Sequence, residues 1–317
     1  MTTAPVVVAL GGNALSPAGG TGDVREMRAE LARTAEVLAD LVEQGIRLVV
    51  THGNGPQVGR ILLQQEYAAK WVPPMPMDVC GALSQGQIGY LLAQTLDAAF
   101  GARGLQTRVL SLVTQVVVDG RDPAFRRPTK PVGPSYDAAE AARIAQETGY
   151  VFKPMPDGRW RRVVASPAPQ RIVEADPLRE MVEAGHVVVA AGGGGVPVVE
   201  DGNGLRGVEA VIDKDLTAAR LALLLRADQL AILTDVPRVQ SGFGTPQAHE
   251  HARLSPRQAR ELLDAGEFSE GSMGPKVRAC LEFVTGGGRR ATIGALTSAR
   301  DVVLGDAGTM IEAGDVR

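Results

Sequence analysis

Short apolar runs that end in glycine-rich loops are the most regular pattern in this sequence. The run 6–10 precedes Gly11 and Gly12, and the runs 46–51 and 186–191 lead into glycine-containing loops in the same way. Uninterrupted apolar runs of this kind are typical of buried strands. Glycine lets backbone N–H groups approach an anion without a Cβ in the way. Three such strand ends predict a polar ligand across the carboxyl edge of a parallel sheet.

Helical periodicity fills the intervals between these runs. Apolar side chains recur at helical spacing in the ranges 27–41, 58–65, 78–96 and 216–225. Asp176 and Ser255-Pro256 are predicted to begin further helices, and the range 271–276 is predicted to precede the last one. Additional strands are predicted at 109–118, 229–234 and, as the closing strand, 291–296. This alternation predicts an α/β class with a mostly parallel sheet.

The range 120–169 differs from the rest because it concentrates arginines and prolines. Asp157-Gly158 lies between short apolar segments and predicts a hairpin, so the range is interpreted as a small inserted subdomain. Its arginines are interpreted as a solvated face. Lys130 differs from them because the prolines around it stiffen the backbone, which favours a lysine directed at a site.

One apparent nucleotide motif is rejected. The range 202–207 fits the glycine spacing of a dinucleotide fingerprint, but no strand leads directly into it and no helix start follows. A polar hairpin over 198–213 is predicted there instead.

Composition excludes several classes of protein. The 317 residues are enough for one large α/β unit or two lobes, and the formal net charge is only −3. Interspersed charges and few aromatics disfavour nucleic-acid binding. Cys80 and Cys280 lie in unrelated surroundings, which favours free thiols in a reducing compartment. The range 216–233 carries three charges and is not expected to span a membrane, and no leader is expected at residues 1–5. A cytoplasmic location is therefore expected.

Lysines near predicted helix starts point to phosphate chemistry. The chain has five lysines, and Lys130, Lys214 and Lys276 lie in clamped or loop-to-helix positions. Phosphoryl transfer needs positive charge and in-line positioning more than covalent help. Asp215 would orient these lysines or hold Mg²⁺, unless it is only a favourable charge at a helix N-terminus.

The histidines offer weaker candidates. His52 is either a catalytic base or, as is more common in such a loop, a ring that satisfies backbone groups. His249 and His251 have no further ligand at a useful spacing, so a zinc site is not expected.

Eight segments, in chain order, resemble the carbamate kinases: VVVALGGNAL, THGNGPQVG, PMPMDVCGALSQGQIGY, PTKPVGP, AAGGGGVPV, VIDKDLTAARLA, LTDV and GSMGPK. They span nearly the whole chain. The resemblance implies the amino-acid-kinase fold, an αβα sandwich with a central, mostly parallel sheet and a protruding subdomain. It implies a lobe for carbamate or carbamoyl phosphate at 1–200, with the subdomain at 120–169, and a nucleotide lobe at 201–317.

The resemblance also implies a reaction and its partners. The reaction is reversible phosphoryl transfer between ATP and carbamate, with Mg²⁺ carried by ATP or ADP rather than by a metal site of the protein. In catabolism of arginine or related nitrogen compounds such enzymes run toward ATP. A homodimer is implied as well, without a nucleic-acid or membrane partner.

Site residues are carried over from the resemblance by position. Carbamate and the transferring phosphoryl group would lie against Gly11, Gly12, Asn13, Gly53 and Asn54. The developing charge would be neutralised by Lys130, Lys214 and Lys276, with Asp215 organising the lysines. The nucleotide pocket would include Thr234, Asp235, Met273 and Gly274. Many amino acid kinases have a lysine where this chain has Ala9, and Lys130 would supply that charge from the subdomain.

Three positions depart from the carbamate kinase pattern. Ser135 stands where phenylalanine is usual, which affects packing at the base of the subdomain. Pro237 and Gln240 stand near the expected adenine pocket. Two alternatives therefore remain open: another small-carboxylate kinase of the same fold, which Ala9 disfavours, and a non-catalytic sensor of nucleotide or carbamoyl phosphate, which the three lysines disfavour.

Overall fold

The computed structural model describes residues 4–15, 20, 22–269 and 271–312, except for the side chain of Asn13. Its strands are β1 Val6–Leu10, β2 Leu48–His52, β3 Val109–Ser111, β4 Gln115–Val118, β5 Lys130–Tyr136, β6 Phe152–Pro154, β7 Trp160–Val164, β8 Pro169–Ile172, β9 Val187–Val189, β10 Val196–Asp201, β11 Gly204–Gly207, β12 Gln229–Thr234, β13 Val239–Ser241, β14 His249–His251, β15 Arg253–Leu254, β16 Arg290–Ala295 and β17 Thr309–Glu312. Its helices are α1 Val24–Glu43, α2 Gly55–Ala68, α3 Met77–Ala102, α4 Ala138–Thr148, α5 Ala175–Glu183, α6 Lys214–Leu224, α7 Pro256–Asp264, α8 Met273–Thr285 and α9 Ala299–Leu304.

An eight-stranded sheet in the order β15-β17-β16-β12-β1-β2-β9-β3 forms the centre of the molecule. All its neighbouring strands pair in parallel except β16 and β17. The central strand β1 is buried on both faces: Val7 and Ala9 pack into one core, whereas Val8 and Leu10 pack into the other. Helices α6 and α8 cover the first face, and α1 and α3 cover the second. The predicted αβα sandwich with a mostly parallel sheet is confirmed.

A separate three-stranded sheet, β5-β7-β6, and helix α4 form a small unit within the range 120–169. Its β6–β7 hairpin turns at Asp157-Gly158, where Gly158 has a φ of +78°, as the sequence predicted. The unit meets the main body where α2 runs against β5. There a Cβ added at Gly59 would lie 3.5 Å from the Cα of Gly133, so backbone packs closely on backbone. The subdomain is therefore positioned by α2, the helix that follows the second glycine loop.

The single strand predicted at 109–118 is wrong, because polar side chains break it in two. Strand β3 belongs to the central sheet and β4 to a second sheet, β11-β10-β4-β8. At the break, Gln85 accepts from the Thr114 N–H at 2.8 Å and donates to the Thr114 carbonyl at 3.1 Å. The Thr114 hydroxyl accepts from the Ala191 N–H at 3.0 Å. These side-chain hydrogen bonds replace the strand-to-strand backbone hydrogen bonds at this point. A pattern of apolar residues alone does not predict them.

Three further boundary predictions are also wrong. Asp176 does not cap α5: Glu174 is the N-cap, and its carboxylate instead accepts from the backbone and side chain of Gln115. The segment at 271–276 does not precede the last helix, because α8 already begins at Met273 and α9 follows. The strand at 291–296 is not the closing one, since β17 pairs antiparallel beside it.

Other local predictions are confirmed. The range 198–213 contains the antiparallel β10–β11 hairpin, and the next helix, α6, begins only at Lys214. One reason given for rejecting the fingerprint is wrong, however, because β10 leads directly into the glycines at 202–207. Ser255 caps α7 in a reciprocal capping box with Gln258. Cys80 and Cys280 are buried free thiols. Among the residues of the ranges above, no helix is long and apolar enough to cross a membrane.

Candidate functional site

The glycine loops meet at the carboxyl ends of β1, β2 and β12. The Gly11 N–H donates to the Leu233 carbonyl at 2.9 Å, and the Gly53 N–H donates to the Leu10 carbonyl at 3.2 Å. A Cβ added at Gly53 would lie 3.9 Å from the Gly12 nitrogen, so the first two loops are close neighbours. Gly12 and the backbone of Asn13 form a short 3-10 turn there, whereas the Asn13 side chain lies outside the described residues.

The third loop requires glycine for steric reasons. Gly193, Gly194 and Gly195 all have left-handed backbones, with φ values of +66°, +95° and +87°. A Cβ at Gly193 would lie 2.2 Å from the Asn54 side-chain nitrogen, and one at Gly192 would lie 2.4 Å from the His52 ring. The Asn54 amide also donates to the Ser84 hydroxyl at 2.8 Å. The loop after β9 thus packs directly on the predicted site residue Asn54.

A buried lysine–aspartate–lysine cluster faces these loops. Asp215 is 3% exposed and accepts from the Lys214 ammonium at 2.5 Å and from the Lys276 ammonium at 3.1 Å. Burial alone would raise the pKa of Asp215, but the two ammonium groups outweigh it and hold this pKa below its usual value. The carboxylate therefore stays charged and fixes both lysines.

Lys130 reaches the same place from the subdomain. Its ammonium donates to the Asp213 carboxylate at 2.9 Å. The other oxygen of Asp213 accepts from the Asp215 N–H at 3.0 Å, which makes Asp213 the N-cap of α6. Asp213 therefore ties the subdomain lysine to the helix that carries Lys214.

One cavity of about 210 Å³ brings these groups together. Its lining includes Gly53, Asn54, Lys130, Gly193, Lys214, Asp215 and Lys276, together with Arg161, Asp213, Gly271 and Ser272. Lysine side chains from α6, α8 and β5 thus converge on this cavity. The backbone of two glycine loops also borders it. Such an arrangement suits a phosphorylated or carboxylate ligand.

The residues predicted for the nucleotide lie apart from this cavity. Thr234 ends β12 and Asp235 follows it, and both line a second cavity of about 220 Å³ that Gly11 also lines. Met273 and Gly274 begin α8, one turn before Lys276, and do not line that second cavity. The four residues therefore do not line one common cavity.

Sequence reasoning missed two charged residues of the cavity. No role was predicted for Asp213, although its place before a predicted helix is a capping signal. Arg161 was included in the solvated arginine run, and nothing in the sequence distinguishes it from Arg159 or Arg162. The position of Arg161 in the lining of the cavity depends on a bulge in β5, and no sequence pattern predicts that bulge.

The three departures from the carbamate kinase pattern have ordinary surroundings. The Ser135 carbonyl accepts from Arg159 at 2.8 Å. Tyr136 beside it stacks edge-on against Phe152 and donates to Glu66 at 2.8 Å, so the base of the subdomain is packed. Gln240 donates to Glu250 at 3.1 Å, and Pro237 lies in the bend before β13.

A larger cavity of about 490 Å³ lies between α2 and α4 and contains none of the predicted site residues. Its walls include Leu62, Met77 and Ile144, and its arginines are engaged elsewhere: Arg143 pairs with Glu147, and Arg162 with Glu209. Volume alone therefore does not identify the site; the convergence of cations does.

His52 has a structural environment rather than that of a base. The ring is 1% exposed, and its Nδ1 lies 2.7 Å from the Gly53 carbonyl, which fixes the proton on that nitrogen. Burial lowers the pKa of His52 from 6.5 to about 4; the Gly53 carbonyl opposes this shift and the charge of Lys214 adds to it. The ring is neutral at pH 7.

We expect this buried histidine to make stability depend on pH. Between pH 6.5 and about 4 the unfolded chain binds a proton at His52 that the folded chain does not, so stability falls as the pH is lowered, by about 3 kcal/mol at most. Urea unfolding of the wild type and His52→Gln at pH 7.5 and 5.0 measures this effect. The variant should lose less stability between the two pH values. Equal losses in the wild type and the variant would contradict the expectation.

No group of three or more His, Cys, Asp or Glu side chains suited to a metal ion occurs among residues 4–15, 20, 22–269 and 271–312. Asp215 already accepts from two lysines.

Comparisons with known proteins agree with this geometry. The model of the amino acid kinase family matches residues 4–295. A carbamate kinase of Pyrococcus horikoshii is 45% identical over 308 residues, which cover 96% of this chain and 98% of that protein. A carbamate kinase of Halobacterium salinarum is 48% identical over 313 residues, covering 98% of each chain. The structure of a carbamate kinase from Giardia lamblia bound to AMP-PNP is 38% identical, with a TM-score of 0.93, and the match covers 99% of this chain and 100% of that one.

Proposed function

The chain belongs to the amino acid kinase family and, within it, to the carbamate kinases, and from this premise we propose that it catalyses reversible phosphoryl transfer between ATP and carbamate. The observation that carries the proposal is the convergence of Lys130, Lys214 and Lys276 on one cavity. A carbamate kinase needs positive charge around a transferring phosphoryl group, and this cavity supplies it from three separate elements.

The reaction toward ATP requires no proton transfer by the protein. An oxygen of the ADP β-phosphate attacks the phosphorus of carbamoyl phosphate, and the bond to the carbamate oxygen breaks with its electron pair leaving on carbamate. Carbamate leaves as a stabilised anion, so a general acid is unnecessary. The buried neutral ring of His52 therefore needs no role in this chemistry, and the catalytic work falls on charge and positioning.

We assign the predicted residues to the two halves of the reaction. Backbone at Gly11, Gly12, Asn13 and Gly53, with the amide of Asn54, would bind carbamate and the phosphoryl group. Lys214 and Lys276 would neutralise the phosphoryl oxygens while Asp215 fixes their positions. Thr234, Asp235, Met273 and Gly274 would border the nucleotide: the first two line the second cavity, and the last two begin the helix that carries Lys276.

Mg²⁺ is proposed to arrive with the nucleotide. Mg²⁺ is usually bound by phosphates with only one or two protein carboxylates. When bound it would add positive charge to the β- and γ-phosphate oxygens.

A homodimer is proposed, supported by an apolar surface around the end of α2. Trp71 and Tyr67 are 80% and 77% exposed, and Val72 and Met75 lie exposed beside them. Contiguous exposed apolar side chains of this kind are typical of protein interfaces.

We further propose a reducing, cytoplasmic setting, in which the thiols of Cys80 and Cys280 remain free. We also propose that the enzyme runs in the ATP-forming direction in catabolism of arginine or related nitrogen compounds.

The direct test is ATP formation from carbamoyl phosphate and MgADP by the purified wild-type protein. Rapid ATP production supports the proposal. Production from another acyl phosphate but not from carbamoyl phosphate would favour a different small-carboxylate kinase. Calorimetric binding of nucleotide or carbamoyl phosphate without turnover would favour a sensor.

Lys130→Ala is expected to lower kcat for ATP formation by about 10- to 100-fold, because one ammonium group of the site is lost while two remain. Lys130 is 31% exposed and comes from the subdomain, so its removal should perturb folding little. Steady-state kinetics with Lys153→Ala as a control measure the effect, since Lys153 lies exposed in the same subdomain. Unchanged turnover in Lys130→Ala would remove the proposed role of Lys130.

A further inference from the structure

Arg161 stands out among the cavity's cations by its bonding. Each of the three lysines has a carboxylate partner: Lys130 pairs with Asp213, and the other two pair with Asp215. Within the part of the chain that the structure describes, no carboxylate lies within 4 Å of the Arg161 guanidinium. Its positive charge is the least compensated among the side chains that line the cavity.

The guanidinium also has a donor without an acceptor. One terminal nitrogen donates to the Gly133 carbonyl at 2.9 Å. The Nε–H is shielded from solvent and has no hydrogen-bond partner among the described residues. A buried donor left unpaired is costly and therefore rare in native proteins. An anionic ligand in the cavity would supply the missing acceptor if the guanidinium shifts toward it on binding.

A bulge in β5 holds Arg161 in this position. The pairing of β5 with β7 shifts between Val132 and Ser135, which leaves Gly133 and Pro134 out of the ladder. Gly133 there adopts a φ of +69° and turns its carbonyl to Arg161. The same glycine is in close contact with Gly59 of α2. Arg161 is thus fixed to the junction between the subdomain and the main body, on the border of the cavity.

We propose that Arg161 binds the carbamate moiety of the substrate, an inference that rests on the proposed function. A guanidinium is planar and presents donors in a fork that matches a planar O–C–O group, whereas an ammonium is a point charge suited to a tetrahedral phosphoryl group. The lysines would therefore act on the phosphoryl group and Arg161 on the carbamoyl oxygen. As the bond from phosphorus to the carbamate oxygen breaks, negative charge grows on carbamate, so Arg161 contributes to kcat as well as to substrate affinity.

The chain offers a matched control in Arg159. Its guanidinium donates to the Ser135 carbonyl at 2.8 Å, much as Arg161 donates to Gly133, but Arg159 is exposed and does not line the cavity. Arg159→Gln removes an arginine-to-β5 bond without touching the site. If such a hydrogen bond only stabilised the structure, Arg159→Gln and Arg161→Gln would therefore lose activity to the same extent.

The test compares Arg161→Gln, Arg161→Lys and Arg159→Gln with the wild type in ATP formation. We expect Arg161→Gln to raise KM for carbamoyl phosphate about 10- to 100-fold and to lower kcat, as loss of a charge-assisted hydrogen bond would. KM for MgADP should change by less than about twofold, and Arg159→Gln should match the wild type in both constants. Arg161→Lys should recover only part of the loss, because it restores the charge without the planar fork.

Three outcomes would overturn the assignment: a wild-type KM for carbamoyl phosphate in Arg161→Gln, an equal rise in KM for MgADP, or an equal loss in Arg159→Gln. Full recovery by Arg161→Lys would overturn the planar recognition. If the wild type forms no ATP, the proposed function fails separately. Calorimetric titration of carbamoyl phosphate into the wild type and Arg161→Gln then decides, since weaker binding to the variant supports the assignment and equal binding overturns it.

Discussion

Replacing Lys214 by alanine is expected to lower kcat for ATP formation from carbamoyl phosphate and MgADP by about 10³-fold. The ammonium of Lys214 lies 2.5 Å from Asp215, is 14% exposed and comes from the first residue of α6. The side-chain carbons of Lys214 lie against Gly53, which belongs to the second glycine loop. A charge that is largely buried and fixed in position stabilises developing negative charge more than a solvated one. Its loss therefore falls mainly on the transition state.

Steady-state kinetics of Lys214→Ala, Lys214→Arg and Lys153→Ala measure this expectation. Lys214→Arg keeps the charge but changes its shape and reach, so we expect a loss smaller than that of alanine. Lys153→Ala should match the wild type. A change confined to KM, with kcat preserved in Lys214→Ala, would mean that Lys214 binds the ground state and the transition state equally.

The sequence predicted the central part of the fold because that part depends on local patterns. Strand β1 is uniformly apolar, and the αβ alternation around it requires a parallel sheet with both faces covered. The errors at 109–118 and at Asp176 have a different origin. In both places a polar side chain bonds a partner distant in sequence: Gln85 bonds Thr114, and Glu174 bonds Gln115. Tertiary hydrogen bonds of this kind leave no periodic signal.

The candidate site divides in the same way. The three lysines were predicted because each stands beside a recognisable backbone feature, a proline clamp or a helix start. Arg161 was not, since its place depends on the bulge at Gly133 and on the contact of that glycine with Gly59. The nucleotide residues were carried over from the resemblance rather than predicted by a pattern, and their arrangement around bound nucleotide stays a prediction.

Asp215→Asn is expected to produce the other large effect, on activity and stability together. The carboxylate is buried between two ammonium groups at 2.5 Å and 3.1 Å. Asparagine keeps the shape but leaves both cations without a counter-charge, and breaking a buried pair in this way costs about 3–5 kcal/mol. We expect the free energy of unfolding to fall by about that amount and kcat to fall about 10²- to 10³-fold, because both lysines lose their fixed positions.

Urea unfolding and steady-state kinetics of Asp215→Asn, Lys276→Met and the double variant separate the two effects. If the pair acts as a unit, the double variant should be less destabilised than the sum of the single variants, since only Lys214, and no longer Lys276, is then left facing an uncharged partner. The pH dependence gives an independent check. The pKa of Asp215 is lower in the folded chain than in the unfolded one, so its contribution is fully present above about pH 4 and is lost as the pH falls through the folded value. In Asp215→Asn the part of the free energy of unfolding that is lost at acid pH should be missing. If this variant instead has the stability and the kcat of the wild type, Asp215 does not organise the lysines.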